Sequence, residues 1–445
     1  MTFVPHSDRE RQEMLRDIGV GSFEELLQGI PESLRLKKPL NLAEALSEFE
    51  TVKTMGELAG KNHTTADFAN YMGAGAYDHF IPAIVGHLLD RSEFKTAYTP
   101  YQAEVSQGTL QSIYEFQSLI CRLTGMDVAN ASMYDGGSAT AEAVLLALAV
   151  TNRRKIVVSS LVHPHYVDCI RIYLGGEDIE VVKVRHDEGI IDADDLKAQI
   201  EGAACFVMQN PNFYGIIEPT DSVPQIVKAA GALLIVAANP ISLAHLKTPG
   251  EFGADVCVGE GQPLGNSLNF GGPYFGFFAT KKAFVRQLPG RLTAMTKDKN
   301  GKRGFCLTLQ TREQHIRRDK ATSNICTNEA LCALAGTIYL TTLGKQGLKE
   351  VAQLCFNKAH YLKDQLCSIP GVKLAHDRPF FMEFALKLPQ PAMKVFDRLV
   401  EKNIFAGVPT SRFVWEDDCL IVCATEKRTK SEIDFYRDSL REVMV

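Results

Sequence analysis

Residues 1–65 carry their hydrophobic positions at helical spacing, and the sequence marks where helices begin. The patterns Ser7–Glu10 and Ser22–Glu25 place a hydroxyl and a carboxylate where both can satisfy unpaired amides at a helix start. Asn41 is a further capping residue, and apolar side chains recur after it every three or four residues until Gly60. We therefore expect a helical N-terminal arm over residues 1–65.

From about residue 66, short apolar runs alternate with longer stretches that have room for crossover helices. The run 231–239 stops at Asn239-Pro240, as expected of a strand that is buried on both faces. Alternation of this kind is typical of a mostly parallel sheet with helices on both sides. The runs that predict strands are 154–159, 179–184, 205–208, 231–239 and 254–258, and a return strand is expected at 277–280.

The pattern changes again beyond residue 320. Long apolar stretches at 323–343 and 347–368 predict two helices, and short strands then alternate with helices. The predicted fold class is α/β, with a mostly parallel sheet in a large domain, a small C-terminal α+β domain and the helical arm. We expect the large domain at 66–320, and an interdomain helix with the small domain at 321–445.

Composition indicates a large globular protein that binds neither nucleic acid nor membrane. The 445 residues are 45% hydrophobic, which supplies a sizeable core, and the formal net charge of −5 offers no basic surface for nucleic acid or anionic lipid. The first ten residues lack the basic start and apolar centre of a signal peptide. No apolar run approaches the length of a membrane span, so we expect a cytoplasmic protein.

Cysteine and histidine spacing predicts no metal site. The eleven cysteines occur singly, without a C-x-x-C pair, so buried free thiols are expected rather than a zinc site or a disulfide framework. His163-Pro-His165 is the sharpest alternative as a metal-binding pair. It is disfavoured because a proline separates the two histidines and no third ligand lies nearby in the sequence.

Several motifs fall where a parallel sheet binds its ligands, beyond the carboxyl ends of the strands. The Gly-rich stretch 135–140 precedes an apolar helix and would point backbone amides, with Ser138, at an anion. A tight turn that binds no ligand is the alternative meaning of that stretch. His163 follows the strand that ends near Ser159, and the turn 209–215 ends in a glycine that permits a backbone conformation other residues avoid.

The segment 231–276 is similar to the coenzyme-anchoring stretch of the aminotransferase-like, fold-type I family of pyridoxal-phosphate enzymes. That family has an Asp at the end of the first strand, which keeps the pyridine nitrogen protonated, and a Lys after the second, which holds the coenzyme as a Schiff base. Here Ala237 falls at the Asp position and Pro263 near the Lys position, and neither can do that chemistry. His163 corresponds to the residue that stacks on the pyridine ring, so His163 and Ser138 are candidate remnants of a coenzyme site.

Four stretches carry a narrower resemblance that runs nearly end to end. They are 70–78, 97–108, 130–136 and 310–327. The chain resembles the glycine-cleavage P-protein family, and more narrowly the first of the two subunits of its split bacterial form. In that form the second subunit carries the His-Lys pair that binds pyridoxal phosphate, so Ala237 and Pro263 are what the resemblance predicts.

The resemblance implies an oxidoreductase of glycine catabolism, the aminomethyl-transferring glycine dehydrogenase. Glycine would be decarboxylated and its aminomethyl group passed to the lipoyl arm of H-protein. The implied partners are the second subunit, with two copies of each subunit, lipoylated H-protein and glycine. Pyridoxal phosphate would be bound by the partner subunit, and this chain would be inactive alone.

The resemblance leaves a role for this chain at the mouth of the partner's site. An aromatic, amide-bearing loop offers hydrogen-bond donors without a charge to desolvate, and we expect contributions from five residues, namely Tyr98, Tyr101, Gln102, Glu104 and Ser106. The tyrosines could instead only fill the interface, which would make the chain a scaffold. A displaced lysine such as Lys281 would make it an independent coenzyme-binding enzyme. The cationic run from Arg312 to Arg318 suggests either anion binding or a solvated helix face.

Overall fold

The computed structural model describes residues 5–96, 99–321, 323, 325, 327–413 and 417–444. Two units are present, residues 1–63 and residues 64–445. The helices are α1 Asp8–Ile18, α2 Phe23–Leu26, α3 Glu48–Ala59, α4 Ala83–Leu89, α5 Gln107–Thr124, α6 Gly136–Thr151, α7 Pro164–Tyr173, α8 Ala193–Gln199, α9 Val223–Ala229, α10 Gln314–Arg317, α11 Ala330–Cys367, α12 Ala392–Val400 and α13 Lys430–Met444. Among the described residues, no helix has the length and hydrophobicity needed to cross a membrane.

The strands alternate with these helices through the second unit. They are β1 Ala69–Asn70, β2 Val128–Ala129, β3 Lys155–Ser159, β4 Glu180–Val184, β5 His186–Asp187, β6 Ile190–Ile191, β7 Cys205–Asn210, β8 Leu233–Ala238, β9 Val256–Glu260, β10 Gly276–Thr280, β11 Leu292–Lys297, β12 Arg303–Thr308, β13 Lys373–Leu374, β14 Glu383–Lys387, β15 Ile404–Phe405, β16 Val408–Pro409 and β17 Leu420–Cys423.

The first unit is helical, as predicted, but not every predicted start is correct. Ser7 forms the expected capping box with Glu10, and Gly19 ends α1 in the left-handed conformation. Ser22 precedes only the single turn α2 and makes no side-chain cap. The third helix begins after Ser47 rather than Asn41, because the Ser47 hydroxyl and the Glu50 carboxylate supply a complete capping box there.

In the described chain a seven-stranded sheet runs in the order β2-β10-β9-β8-β7-β3-β4. Strands β4, β3, β7, β8 and β9 are parallel, and β10 returns antiparallel to β9, as the sequence predicts. Alternate side chains of each inner strand enter different cores: Cys205 and Val207 pack on the side of α6 and α7, and Phe206 and Met208 on the opposite side. Burial on both faces explains the continuous apolar runs.

The long helix α11 joins the large sheet to the C-terminal part of the chain. It replaces the two predicted helices and begins at Ala330, later than residue 323. Gly344 breaks the helical geometry inside it, with φ 59° and ψ −172°, so the predicted division into two helices is close to the observed kink. Beyond it, the four-stranded sheet β13-β14-β17-β16 packs with α12 and α13.

Candidate functional site

A small cavity lies at the carboxyl ends of β8 and β9, where a parallel sheet of this kind binds its ligand. Ala237, near the end of β8, and Pro263, three residues beyond β9, line it together. The two positions that the sequence identified as altered anchor positions therefore meet in space. The remaining lining residues are Gly75, Tyr77, His163, Tyr166, Gln209, Ala238, Asn239, Pro240, Gly259 and Glu260.

The cavity does not fit pyridoxal phosphate. Its volume is about 30 Å³, enough for about two water molecules, whereas pockets for ligands of coenzyme size have volumes of at least about 300 Å³. Among the described residues that line it there is no lysine for a Schiff base, and Ala237 offers no carboxylate to a pyridine nitrogen. The residues present therefore provide neither the space nor the two anchoring groups.

Both ring nitrogens of His163 make hydrogen bonds to neighbouring residues. The residue precedes α7, and its Nδ1 accepts a hydrogen bond from the His165 amide at 3.1 Å. The Nε2 lies 2.9 Å from the Ala74 carbonyl oxygen, which can only accept, so Nε2 carries the proton and the ring is neutral. Burial lowers the pKa of His163 to about 4, against the opposing effect of the Ala74 hydrogen bond. His163 thus holds the segment around Ala74 over the cavity.

The amide and the hydroxyl of Ser138 also make hydrogen bonds within the chain. Its amide donates to the Asp135 carboxylate at 2.6 Å, and its hydroxyl accepts from the Asp135 amide at 3.2 Å, which completes a capping box at the start of α6. The Gly-rich stretch 135–140 therefore forms the predicted helix start. The Ser138 hydroxyl also donates to the Asp135 carbonyl at 3.1 Å and is directed at its own helix end.

Glu260, the last residue of β9, was not singled out by the sequence motifs. Its Oε2 accepts a hydrogen bond from the Gly136 amide at 3.0 Å, and its Oε1 accepts from the Gln262 amide at 3.1 Å. Burial raises the pKa of Glu260 to about 8, although the backbone donors lower it. The available signal was a charged residue two positions after the run 254–258, where a strand meets the ligand-binding side of the sheet.

Glu383, from the C-terminal part of the chain, bonds the segment 74–77 beside the cavity and was also missed. This buried carboxyl group accepts from the Ala74 amide at 2.5 Å and from the Tyr77 hydroxyl at 3.0 Å. Burial raises the pKa of Glu383 to about 7, while both hydrogen bonds lower it. Gly215 lies against the same residue, because a Cβ built there would meet the Glu383 carbonyl oxygen at 1.9 Å. The predicted turn 209–215 does end in a left-handed glycine, with φ 80° at Gly215.

Lys281 lies at the end of β10 that is farther from the cavity. In the antiparallel pair, Gly276 faces Glu260 beside the cavity, whereas Thr280, next to Lys281, faces Val256. Four residues of strand separate the two ends by about 13 Å. The Lys281 ammonium contacts the Asp255 carboxylate at 2.7 Å. This position gives the displaced-lysine hypothesis no support.

Known proteins are similar to this chain over nearly its whole length. A profile of the family described as glycine cleavage system P-protein matches residues 1–439. The chain belongs to the P-protein family. A Desulfitobacterium hafniense protein named "Probable glycine dehydrogenase (decarboxylating) subunit 1" is 53% identical over 436 residues, which cover 98% of this chain and 98% of that protein. A Chlorobium phaeobacteroides protein of the same name is 52% identical and covers 99% of each chain.

Solved structures show the fold of this P-protein chain. The crystal structure of glycine decarboxylase (P-protein) of the glycine cleavage system, in inhibitor-bound form, matches all of both chains with a TM-score of 0.90 and 43% identity. Glutamate decarboxylase from Lactobacillus brevis matches 95% of this chain and 96% of its own with a TM-score of 0.69 and 13% identity, which shows the fold alone. The P-protein chain therefore has the fold of the fold-type I pyridoxal-phosphate enzymes, as predicted.

The five interface candidates of the P-protein chain fall in different environments. Tyr98 lies outside the described residues. Tyr101, Gln102 and Glu104 are exposed in the segment before α5. Ser106 is buried directly before α5, where its side chain makes no capping hydrogen bond.

The exposed Tyr101 ring is held by a buried charge pair. The Arg291 guanidinium lies 5.5 Å from the ring centroid, and its Nη2 donates to the Tyr101 hydroxyl at 3.4 Å. Arg291 Nε in turn lies 3.7 Å from the Glu313 carboxylate, and the two side chains are only 5% and 6% exposed. His315 contacts the same ring edge-on, with the centroids 5.9 Å apart. The ring is therefore oriented although 54% of Tyr101 is exposed.

The cationic run does not act as one anion site. Arg312 is buried and donates to the carbonyl oxygens of Leu288, Leu309 and Gly290. Burial lowers the pKa of Arg312, against the opposing charge of Glu313. The exposed Arg317 and Arg318 belong to a short helical segment. Arg317 and Arg318 fit the alternative of a solvated helix face, whereas the buried Arg312 fits neither that alternative nor anion binding.

Tertiary folding also brings together His79, Cys355 and Glu426, which sequence spacing could not reveal. One possible ligand atom from each lies within 4.8 Å of the others. His79 Nδ1 lies 2.7 Å from Glu426 Oε2, and the Cys355 thiol donates to the same oxygen at 3.3 Å. Burial raises the pKa of Glu426, but the hydrogen bond and charge of His79 and the Phe80 amide outweigh it and hold the pKa at about 2. These bonds join the segment at 78–80 to the one at 425–428.

Proposed function

We propose that this chain is the subunit of glycine decarboxylase that does not anchor pyridoxal phosphate, and that a partner subunit binds the coenzyme. The observation that carries the proposal is the cavity of about 30 Å³, with Ala237 and Pro263 where the fold requires an anchoring Asp and Lys. Membership of the P-protein family supports the reaction. The name of the relatives, subunit 1, supports the partner.

The complete enzyme would decarboxylate glycine and transfer the aminomethyl group to the lipoyl arm of H-protein. We propose an assembly with two copies of each subunit, located in the cytoplasm. The chain would be inactive alone, because its own cavity has no room for the coenzyme. The partner would supply the reacting centre, and this chain would supply a surface that closes it and excludes water.

The exposed segment with Tyr101, Gln102 and Glu104 is our candidate for that surface. An exposed aromatic side chain normally samples several orientations, but Arg291 and Glu313 hold the Tyr101 ring in one. A ring that is fixed before binding loses less entropy when a partner covers it. The Tyr101 hydroxyl and the Gln102 amide could then donate hydrogen bonds toward the partner's site. Tyr98 and Ser106 stay sequence predictions for the same role.

Borohydride reduction and peptide mapping of the purified chain test the absence of an anchoring lysine. The chain is mixed with pyridoxal phosphate, reduced with borohydride and digested, and the peptides are searched for pyridoxyl-lysine. We expect no stoichiometric pyridoxyl-lysine on this chain and one on the partner after the two are combined. A stoichiometric pyridoxyl-lysine at Lys281, or glycine turnover by this chain alone, would contradict the proposal.

Substitution of Tyr101 tests the contribution to the site. In the reconstituted complex we expect Y101A to lower turnover at least about tenfold, which corresponds to about 1.4 kcal/mol, while the partner remains bound. Y101F separates the hydroxyl from the ring. V105A is the matched control, because Val105 is 78% exposed in the same segment but has no polar group. Unchanged turnover in Y101A would support the scaffold alternative instead.

A further inference from the structure

The amino end of α6 faces a carboxyl group of the same chain. The first helical residue, Gly136, donates its amide to Glu260 Oε2 at 3.0 Å. The second oxygen of Glu260 accepts from the Gln262 amide at 3.1 Å. A helix of 16 residues carries a partial positive charge at this end, which is where proteins bind phosphate groups, and among the described residues the Asp135 carboxylate accepts only the Ser138 amide there.

The surroundings leave no room for a second anion. A Cβ on Gly136 would meet the Tyr166 hydroxyl oxygen at 2.2 Å and the Glu260 amide nitrogen at 2.9 Å, so helix, tyrosine and strand are in close contact. Glu260 and Tyr166 both line the cavity of about 30 Å³. A phosphate placed at the helix end would overlap the Glu260 carboxyl group, and an ionised carboxylate there would also repel it.

We propose that Glu260 occupies the position of a coenzyme phosphate at the amino end of α6 and so closes the coenzyme cavity from within. The disagreement between the fold, which implies pyridoxal phosphate, and the residues present then has two parts. Ala237 and Pro263 remove the groups that would anchor the ring, and Glu260 fills the place of the phosphate. The role of Glu260 concerns the isolated chain and does not depend on the proposed activity.

The consequence is that removal of the Glu260 side chain opens an anion site. The full-length chain and its variants E260A and E260Q are titrated with inorganic phosphate and with pyridoxal phosphate by calorimetry. We expect E260A to bind inorganic phosphate at least about tenfold more tightly than wild type, because the amides of Gly136 and Gln262 then lose their carboxyl acceptor. E260Q keeps the size of the side chain and should bind no more than wild type. E201Q, at an exposed glutamate, is the control.

Equal phosphate affinity in wild type and E260A would overturn the proposal. So would phosphate binding by the wild-type chain that shifts the Gly136 amide resonance. If E260A does not fold, E260S carries the same expectation with a smaller loss of polar contact. Selective ¹⁵N-glycine labelling gives a further check, since the Gly136 amide should shift with pH in wild type as Glu260 ionises but not in E260Q. A resonance that is independent of pH in wild type would also count against the assignment.

Discussion

Replacement of Glu383 by glutamine is expected to stabilise the chain at about pH 8 and to leave its stability nearly unchanged at about pH 5. Glu383 accepts hydrogen bonds from the Ala74 amide and the Tyr77 hydroxyl while it is buried between them. Glutamine keeps the size of the side chain. Its carbonyl oxygen can still accept from Ala74, and its amide can donate to the Tyr77 oxygen.

The magnitude follows from the pKa of Glu383. Burial raises this pKa from 4.5 to about 7, so between these values the folded state holds a proton that the unfolded state has lost. The contribution to stability is therefore complete below about pH 4.5 and is lost as the pH rises through about 7. At 1.36 kcal/mol for each pKa unit, the loss reaches about 3 kcal/mol. Glutamine does not ionise, so the E383Q variant does not lose this stability as the pH rises.

Urea unfolding at several pH values measures the effect. The difference in unfolding free energy between E383Q and wild type should grow by up to about 3 kcal/mol between about pH 5 and pH 8. Burial also raises the pKa values of Glu142, Glu218 and Glu260, but these groups are present in both proteins and cancel in the difference. E201Q, at an exposed glutamate, should follow wild type. Parallel curves for E383Q and wild type would refute the reasoning.

Five further substitutions have clear expectations. Gly215→Ala should prevent stable folding, because φ is 80° and the new Cβ would meet a carbonyl oxygen at 1.9 Å. Gly86 lies in a helix with open space around it, so Gly86→Ala should raise the melting temperature slightly. Leu362 is fully buried in α11, and Leu362→Ala should lower the free energy of unfolding in urea by about 3 kcal/mol. Leu354 is 45% exposed in the same helix, and Leu354→Ala should lower it by less than about 0.5 kcal/mol. Similar losses in the two variants would contradict the assigned helix face. Ser47→Ala removes the α3 capping box and should cost about 1 kcal/mol locally, seen as faster amide exchange in that helix; unchanged exchange would argue against the cap.

Much of the fold could be predicted because its signals are local. The apolar runs at 154–159, 205–208 and 231–239 predicted β3, β7 and β8, since strands buried on both faces need uninterrupted hydrophobic side chains. The start of α3 was placed wrongly because Asn41 and Ser47 are both capping residues, and each has a glutamate three positions later, Glu44 and Glu50, so this spacing does not choose between them. The kink at Gly344 could not be distinguished from a break between two helices, since glycine permits both.

The sequence by itself determined which groups are absent from the coenzyme site, because Ala237 and Pro263 can neither ionise nor form a Schiff base in any fold. Only the tertiary structure decided which buried carboxyl groups lie at and beside this cavity. Glu260 meets Gly136 across 124 residues of sequence, and Glu383 meets Ala74 across 309. Such contacts depend on how helices and strands pack together, which local propensity does not encode, so they became visible only in the folded chain.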